Sequence, residues 1–280
     1  MSHDPNTIVV VCPVYNRAHA LRQALDSILT QTDPNWVCVL LDDGSTDASP
    51  AIEQEYVARD SRFRLQRFEA NSGGVAMNEV GMGLACDLVG IWTRLGSDDW
   101  FEPSKFKLDR IALSSYDACV GPYRNFPEVH GGELNGPSDP RQYLLLGGFT
   151  ASWANIAMRT DVLRAVRERH GSFCDPRLRN MEDWIFNVRA ARFARFVWRA
   201  GSTDGKRMVL GAKTQEEVPF PVVADAHYRI AWDGATENPK TRHYVVSDYK
   251  FTEIIMGEDR RKNLLIAAHE PPIVQVVEFS

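Results

Sequence analysis

The sequence is short of several features that mark large protein classes. No apolar run approaches the ~20 residues that a membrane-spanning helix needs. The first such run, residues 8–11, is brief and has no basic leader, so neither a signal peptide nor a membrane anchor is expected. Peripheral membrane contact leaves weaker marks in sequence and stays open. Excess positive charge is missing as well: the net charge of -5 argues against broad nucleic-acid binding. Arg189, Arg192, Arg195 and Arg199 come nearest to a basic face. With Phe193, Phe196 and Trp198 between them, they are expected to be the solvated side of an amphipathic helix running into a strand. The five cysteines, Cys12, Cys38, Cys86, Cys119 and Cys174, are scattered through apolar runs and suggest neither a zinc site nor a disulfide framework. Buried free thiols fit a reducing cytosol, so a cytoplasmic protein is expected. Two phosphate-binding signatures are also absent, G-x-G-x-x-G after the first strand and G-x-x-x-x-G-K-[ST].

What the sequence does have is a sheet pattern whose strands end in acids. With 280 residues, 44% apolar and 25% charged, the chain has room for one large α/β domain, alone or with an extension. Residues 7–12 form a β-rich run expected to stop at Pro13, and the helix after it carries Leu21, Leu25, Ile28 and Leu29 on one face. Asp33-Pro34 breaks the chain before residues 36–41, a strand apolar on both faces as in a parallel sheet covered on both sides. A helix is expected at about 50–59, a strand nearer an edge at 62–68, a helix at 75–85, a strand at 88–95, a helix from Pro103 and a short strand at 117–121. Residues 122–140 are rich in Gly, Pro and Asn and read as a loop. A further helix at 160–169 is expected to be capped by Thr160 or Asp161 and ended by Gly171, and Glu182-Asp183-Trp184 opens another. Beyond Arg199 the pattern weakens: residues 218–232 hold β-rich pieces, and 244–268 carries helix-compatible Val246, Phe251, Ile254 and Ile255. Residues 1–200 are read as the main domain and 201–280 as an extension packed on it, on the acceptor side or at an oligomer contact.

Two of these strands run into carboxylates, Asp42-Asp43-Gly44-Ser45-Thr46-Asp47 and Gly96-Ser97-Asp98-Asp99. Ligands of open α/β sheets bind at the carboxyl ends of strands. Asp47 and Ser49 read equally well as caps of the helix that Pro50 begins, and Glu182 with Asp183 as complements of a helix dipole. Carboxylates gathered from separate strands repel unless a cation or hydrogen-bond donors fill the gap. Hard oxygen donors without histidine or thiolate favour Mg²⁺ or Mn²⁺, and Mg²⁺ is usually held by one or two carboxylates plus substrate phosphates. The expected ligand is therefore a nucleoside diphosphate linked to a transferable group. Asp-Asp-Gly-Ser-Thr also resembles the aspartate loop of haloacid-dehalogenase-like phosphatases, but the nucleophile's position is Leu41.

Taken together, residues 8–17 (Ile-Val-Val-Val-Cys-Pro-Val-Tyr-Asn-Arg), Leu41 to Asp47, Asn71 with Gly73 and Asn78, Leu95 to Asp99, and Glu182-Asp183-Trp184 resemble the family 2 glycosyltransferases over about residues 7–200. The resemblance implies the GT-A fold, a Rossmann-like α/β/α sandwich with a mostly parallel central sheet. It further implies a metal-dependent, inverting transfer of a sugar from a nucleoside-diphosphate sugar, usually a UDP-sugar, to an acceptor hydroxyl in polysaccharide or glycoconjugate synthesis. By the same resemblance Pro13 and Tyr15 line the base pocket, with Tyr15 stacking on the base, and Asp43 bonds the base. Asn16, Arg17, Asn71, Gly73, Asn78 and Ser97 belong to the same nucleotide-sugar site. Asp98 lies near the ribose or sugar, and Asp99 holds the Mn²⁺ or Mg²⁺ that bridges the diphosphate. Asp183, or failing it Glu182, is the catalytic base, placed to take the acceptor's proton opposite the departing diphosphate.

Trp153 and Trp184 are candidate sugar platforms, with core packing as the plainer alternative, and His227 is a candidate on the product side. The acceptor, a saccharide, a lipid-linked sugar or a small molecule, is not legible, since loops carry specificity. Three positions depart from the family pattern. Gly96 replaces the first acid of an Asp-x-Asp-Asp run, Met77 replaces an arginine before Asn78 with Arg94 as a substitute, and Ala231 replaces the histidine of a late Tyr-Arg-x-His segment. The alternatives are a sugar nucleotidyltransferase, whose basic glycine-rich loop is not seen, and a catalytically inactive nucleotide-sugar-binding module, which Gly96 and Met77 favour.

Overall fold

The apolar run near the N-terminus becomes the strand about which the sheet is laid. A computed structural model describes residues 4–126, 153, 155–174, 182–190, 193–199, 201 and 204–207, with backbone strands between 237 and 278. Strand β1 (Ile8–Val14) is followed by α1 (Ala18–Leu29), β2 (Trp36–Asp42), α2 (Ser49–Arg59), β3 (Phe63–Arg67), α3 (Gly74–Asp87), β4 (Ile91–Arg94) and α4 (Lys105–Ala112). Next come β5 (Ala118–Val120), β6 (Tyr123–Phe126), β7 (Ile156–Arg159), α5 (Thr160–His170), α6 (Glu182–Ala190), β8 (Phe196–Trp198) and β9 (Asp204–Arg207). Seven strands form one sheet in the order β3-β2-β1-β4-β7-β5-β8. Strands β1 to β4 pair in parallel, whereas β7 runs antiparallel to both β4 and β5.

The period of two along the strands divides the apolar side chains between two cores. Ile8, Val10, Cys12 and Val14 pack on one face with Leu21, Leu25 and Ile28 of α1, Ile52 and Tyr56 of α2, and Phe106 of α4. Val9 and Val11 turn to the other face, against Met77, Met82 and Ala85 of α3, Val162, Leu163 and Val166 of α5, and Phe186 of α6. Both faces are thus covered by helices, as the unbroken apolar runs of β1 and β2 require. The consequence for function is geometric: the carboxyl ends of β1, β2 and β4 lie side by side.

Several local expectations are corrected. β1 does not stop at Pro13 but continues to Val14. The carbonyls of Thr7 and Val11 accept from β4, so odd residues of β1 face that neighbour. Pairing with β4 ends at Val11, which leaves the missing N–H of Pro13 with no ladder bond to forfeit. Neither Thr160 nor Asp161 caps α5 through its side chain; the Thr160 hydroxyl instead accepts from the Gly90 amide at 3.1 Å. Arg189 and Arg199 are buried rather than solvated. Arg189 donates to the carbonyls of Ser172 and Phe173, while Arg199 and Lys105 share the buried carboxylate of Asp109. Arg195 does lie at the surface, paired with Asp117 at 2.9 Å, and Arg192 is outside the described residues.

The expected loop at 122–140 begins with β6, which pairs in parallel with β9; residues 127–140 lie outside the described residues, as do 218–232. The helix expected within 244–268 is instead strand: Val245–Val246, Tyr249–Met256 and Arg261–Ala268 form one antiparallel ladder. Thr252, Ile254 and Ile255 are β-branched and sit beside Phe251, a composition that fits a pleated ladder better than a helix.

Candidate nucleotide-sugar site

The turn after β2 is built almost wholly from side chain to backbone bonds. Asp42 is buried; one oxygen accepts from the Ser45 amide at 2.8 Å and the other faces Arg67 of β3 at 3.0 Å. Gly44 has φ +72°, and a Cβ there would meet the Ala70 carbonyl carbon at 2.8 Å, so the turn admits only glycine at that place. Asp43 is buried too. Its carboxylate accepts from Asn71 Nδ2, the Ser72 amide and the Ser72 hydroxyl, each at 2.8 Å, and from the Gly73 amide at 2.9 Å. Asp47 accepts from the amides of Ser49 and Ala18 and so spans the starts of α1 and α2. Burial works to raise its pKa, but these hydrogen bonds outweigh it and hold the carboxyl below its usual range.

The end of β1 locks into the same turn. Tyr15 is exposed, and Asn16 takes φ 50°, a left-handed conformation that asparagine tolerates. Asn16 Oδ1 accepts from the amides of Thr46 at 2.8 Å and Asp47 at 3.2 Å, while its own amide donates to the Ser45 hydroxyl. Arg17 donates from its amide to Ser49 Oγ and from Nε to Asp98 Oδ2 at 3.2 Å. The loops after β1, β2 and β4 are therefore tied directly to one another.

At the end of β4 the Leu95 amide bonds the Val11 carbonyl and the Asp99 amide bonds that of Gly96. Ser97 and Asp99 are buried. A Cβ on Gly96 would meet Asp99 Oδ2 at 2.5 Å and Asp98 Oδ1 at 3.3 Å. A side chain at this place therefore requires the Asp99 carboxylate to shift. Asp99 offers hard oxygen donors in this cradle, and among the described residues no three acid, histidine or cysteine side chains converge on a metal position. The residues fit an ion that is held by one protein carboxylate and brought in with a diphosphate. Burial drives the Cys12 thiol far above its usual range, with the charge of Arg94 as the largest opposing cause.

Met77 is buried in the core and takes no part in the site. Arg94 reaches from β4 to α3 instead, donating from Nε to Asn78 Oδ1 at 2.8 Å, with its guanidinium 5.5 Å from the Trp153 ring. Trp153 itself is no open platform. It is buried, 5.5 Å from Phe186 in a stacked pair and 5.9 Å from Trp92 edge-on. Phe186 also meets Trp92 at 5.5 Å, which fixes α6 against β4. Glu182 and Asp183 occupy the first turn of α6, as expected, and both are half-buried. Burial raises the Cys174 thiol, with the charge of Glu79 next, and Glu79 accepts from the amides of Phe173 and Cys174 in the turn that follows α5. The Trp184 side chain and His227 are outside what the structure describes.

Two participants were not legible in the sequence. Ser72 supplies two of the four bonds to Asp43, and Gly205 of β9 exchanges both backbone hydrogen bonds with Trp100, immediately after Asp99. The Asn-Ser-Gly-Gly turn hints at the first; nothing local signals the second.

A mostly parallel α/β/α sheet with acid-bearing loops at the ends of β2 and β4 is the GT-A architecture. Residues 9–129 match the family described as Glycosyl transferase family 2. Glycosyltransferase GlyA of Streptococcus pneumoniae is 38% identical over 127 residues, 44% of this chain and 18% of that protein. Among solved structures, S. aureus TarS 1-349 in complex with UDP-GlcNAc aligns with TM-score 0.65 at 18% identity, covering 80% of this chain and 65% of that one. The mannosyltransferase PcManGT from Pyrobaculum calidifontis, in complex with GDP-Man and Mn²⁺, aligns with TM-score 0.54 at 16% identity over 85% of this chain and 68% of its own. The chain spans less than two thirds of the length of GlyA and of the TarS fragment.

Proposed function

We propose that this protein transfers a hexosyl group from a nucleoside-diphosphate sugar, a UDP-sugar first of all, to the hydroxyl of a saccharide, lipid-linked or small-molecule acceptor, with inversion and in the cytoplasm. The observation that carries the reading is the joining of three strand ends: Arg17 to Asp98, and Asn16 to the backbone of Thr46 and Asp47. A nucleotide laid across them has its base beside Pro13 and Tyr15, its sugar and ribose beside Asp98, and its phosphates toward Asp99, Ser97 and Arg94. Asp99 would hold Mn²⁺ or Mg²⁺, which when bound neutralises charge on the diphosphate. That TarS was solved with UDP-GlcNAc and PcManGT with GDP-Man and Mn²⁺ supports a nucleotide-sugar donor for this fold.

In this reading Asp183 takes the proton from the acceptor hydroxyl as its oxygen attacks the anomeric carbon, with Glu182 as the alternative base. The bond from the anomeric carbon to the β-phosphate breaks on the opposite face, and Arg94 stands beside the leaving charge. Calorimetric titration of UDP with and without Mn²⁺ tests the binding half. Binding strengthened by Mn²⁺ is expected, and no binding in either condition ends the proposal. A donor-hydrolysis assay across nucleotide sugars tests the chemical half. Asp183→Asn is expected to bind UDP as before and to lose at least ~100-fold in turnover; unchanged hydrolysis removes Asp183 from the role. A binding module without catalysis is the second reading, favoured by the acid that Gly96 replaces and by Met77, and wild-type hydrolysis of any donor excludes it.

A further inference from the structure

Gly171 takes φ +73° after α5, a left-handed residue that turns the chain at the helix end. The peptides that follow are gripped from two sides. Glu79 of α3, half-buried, receives the Phe173 amide on Oε2 at 3.2 Å and the Cys174 amide on Oε1. Arg189 of α6 donates from Nη1 to the carbonyls of Ser172 at 3.1 Å and Phe173 at 3.0 Å. A charged side chain on each side places these bonds in the stronger class, and Phe173, Cys174 and Arg189 are all buried. Glu79 adjoins Asn78, whose Oδ1 receives Arg94 of β4. A continuous line of contacts therefore runs from the end of β4 through α3 and the 172–174 turn to α6, the helix whose first turn carries Glu182 and Asp183. The rings of Trp92, Trp153 and Phe186 also hold α6. Apolar contact is non-directional, however, whereas bonds to fixed carbonyls set how far a helix stands along its own axis.

We propose that Glu79 is a positioning residue for the transfer step: by holding the 172–174 turn it fixes, through Arg189, where α6 sets Asp183 relative to the donor. This rests on the reading that Asp183 takes the acceptor's proton. Glu79 itself touches neither donor nor acceptor in this scheme. Its removal leaves the strand-end loops that hold the nucleotide as they are and lets α6 shift, so turnover falls while donor binding does not. A shift on the order of 1 Å in a reacting group costs up to ~100-fold in rate.

The experiment is a double-mutant cycle on the full chain with Mn²⁺ present, read by hydrolysis of the nucleotide sugar that wild type cleaves fastest and by calorimetric titration of UDP. Glu79→Ala is expected to lower kcat at least ~10-fold while KM for the donor, UDP affinity and UDP stoichiometry stay at wild-type values. In the Asp183→Asn background the same change is expected to alter kcat less than ~2-fold, because groups that act as a unit are not additive. Glu79→Gln keeps an acceptor for one of the two amides; it is expected to lose less than Glu79→Ala and carries the same cycle should the alanine variant fail to fold. A kcat unchanged in both Glu79 variants, or a loss that persists undiminished in Asp183→Asn, overturns the inference and leaves Asp183 as the base. Hydrolysis unchanged in Asp183→Asn, or no hydrolysis by wild type, overturns the underlying reading, and this inference with it.

Discussion

Arg94 and Asn78 form a side-chain pair across the sheet and helix layers, Nε to Oδ1 at 2.8 Å. The pair fixes a cation beside the Gly96 to Asp99 loop, and among the described residues no carboxylate is within ion-pair distance of it. Replacing Arg94 with Met is expected to weaken UDP about tenfold, the worth of one charge-assisted contact, and to leave uridine binding unchanged. Titration of both ligands checks this. Equal losses for the two would mean that Arg94 only supports Asn78.

Glu53 gives the site region a pH dependence. It is fully buried on α2, and neither carboxyl oxygen has a hydrogen-bond partner. Burial first, and the nearby charge of Asp42 second, push its pKa up to about 8 from 4.5. The folded state therefore binds this proton more tightly than the unfolded chain. Its contribution to stability is whole below pH 4.5 and is lost as pH rises toward 8, by up to ~1.4 kcal/mol per unit within the window. Glu53→Gln should melt higher than wild type at pH 9 and show a flatter profile from pH 5 to 8. Parallel profiles for the two proteins, measured by thermal melts across that range, would refute the assignment.

Gly96 leaves the space that the Asp99 carboxylate fills. Gly96→Ala is therefore expected to push Asp99 aside, and Gly96→Asp to do so despite adding an acid. In calorimetry the strengthening of UDP binding by Mn²⁺ should shrink at least ~10-fold in both variants, with metal-free UDP binding unaltered. A stronger Mn²⁺ effect in Gly96→Asp would show that the cradle can hold both acids.

Trp153 separates packing from recognition. Its contacts with Trp92 and Phe186 make it part of the core, so Trp153→Ala should cost ~3–5 kcal/mol of stability. Urea unfolding measures this directly. A loss below ~1 kcal/mol coupled to a raised KM for acceptor would restore the platform role.

The sequence discloses the layered sheet and its acid-tipped strands because those signals are local. Residues 36–41 are apolar without a break, and Asp42 and Asp43 follow at once, so strand and ligand-facing end are visible in eight residues. The filling of Asp43 is not visible, since its partners lie 28–30 residues away and depend on how the 71–73 turn docks. For Trp153 the sequence leaves platform and core packing both open, because an aromatic ring has the same letter whether it meets sugar or Phe186. Arg189 and Arg199 looked solvated for a similar reason: their carbonyl and carboxylate partners come from elsewhere in the chain. The hairpin of Tyr249–Met256 with Arg261–Ala268 shows the limit of spacing alone, because four apolar positions fit a helical face by chance when the backbone preference is extended.

Trp100 and Gly205 are joined by two backbone bonds, and the Trp100 indole lies against Gly205, where a Cβ would fall 1.9 Å from Cε2. A chain cut before residue 204 would strip that lid and leave the indole bare to water. Shortening the protein from its far end would thus be felt at the loop of Gly96 to Asp99, which makes residues 204–207 a splint rather than a tail.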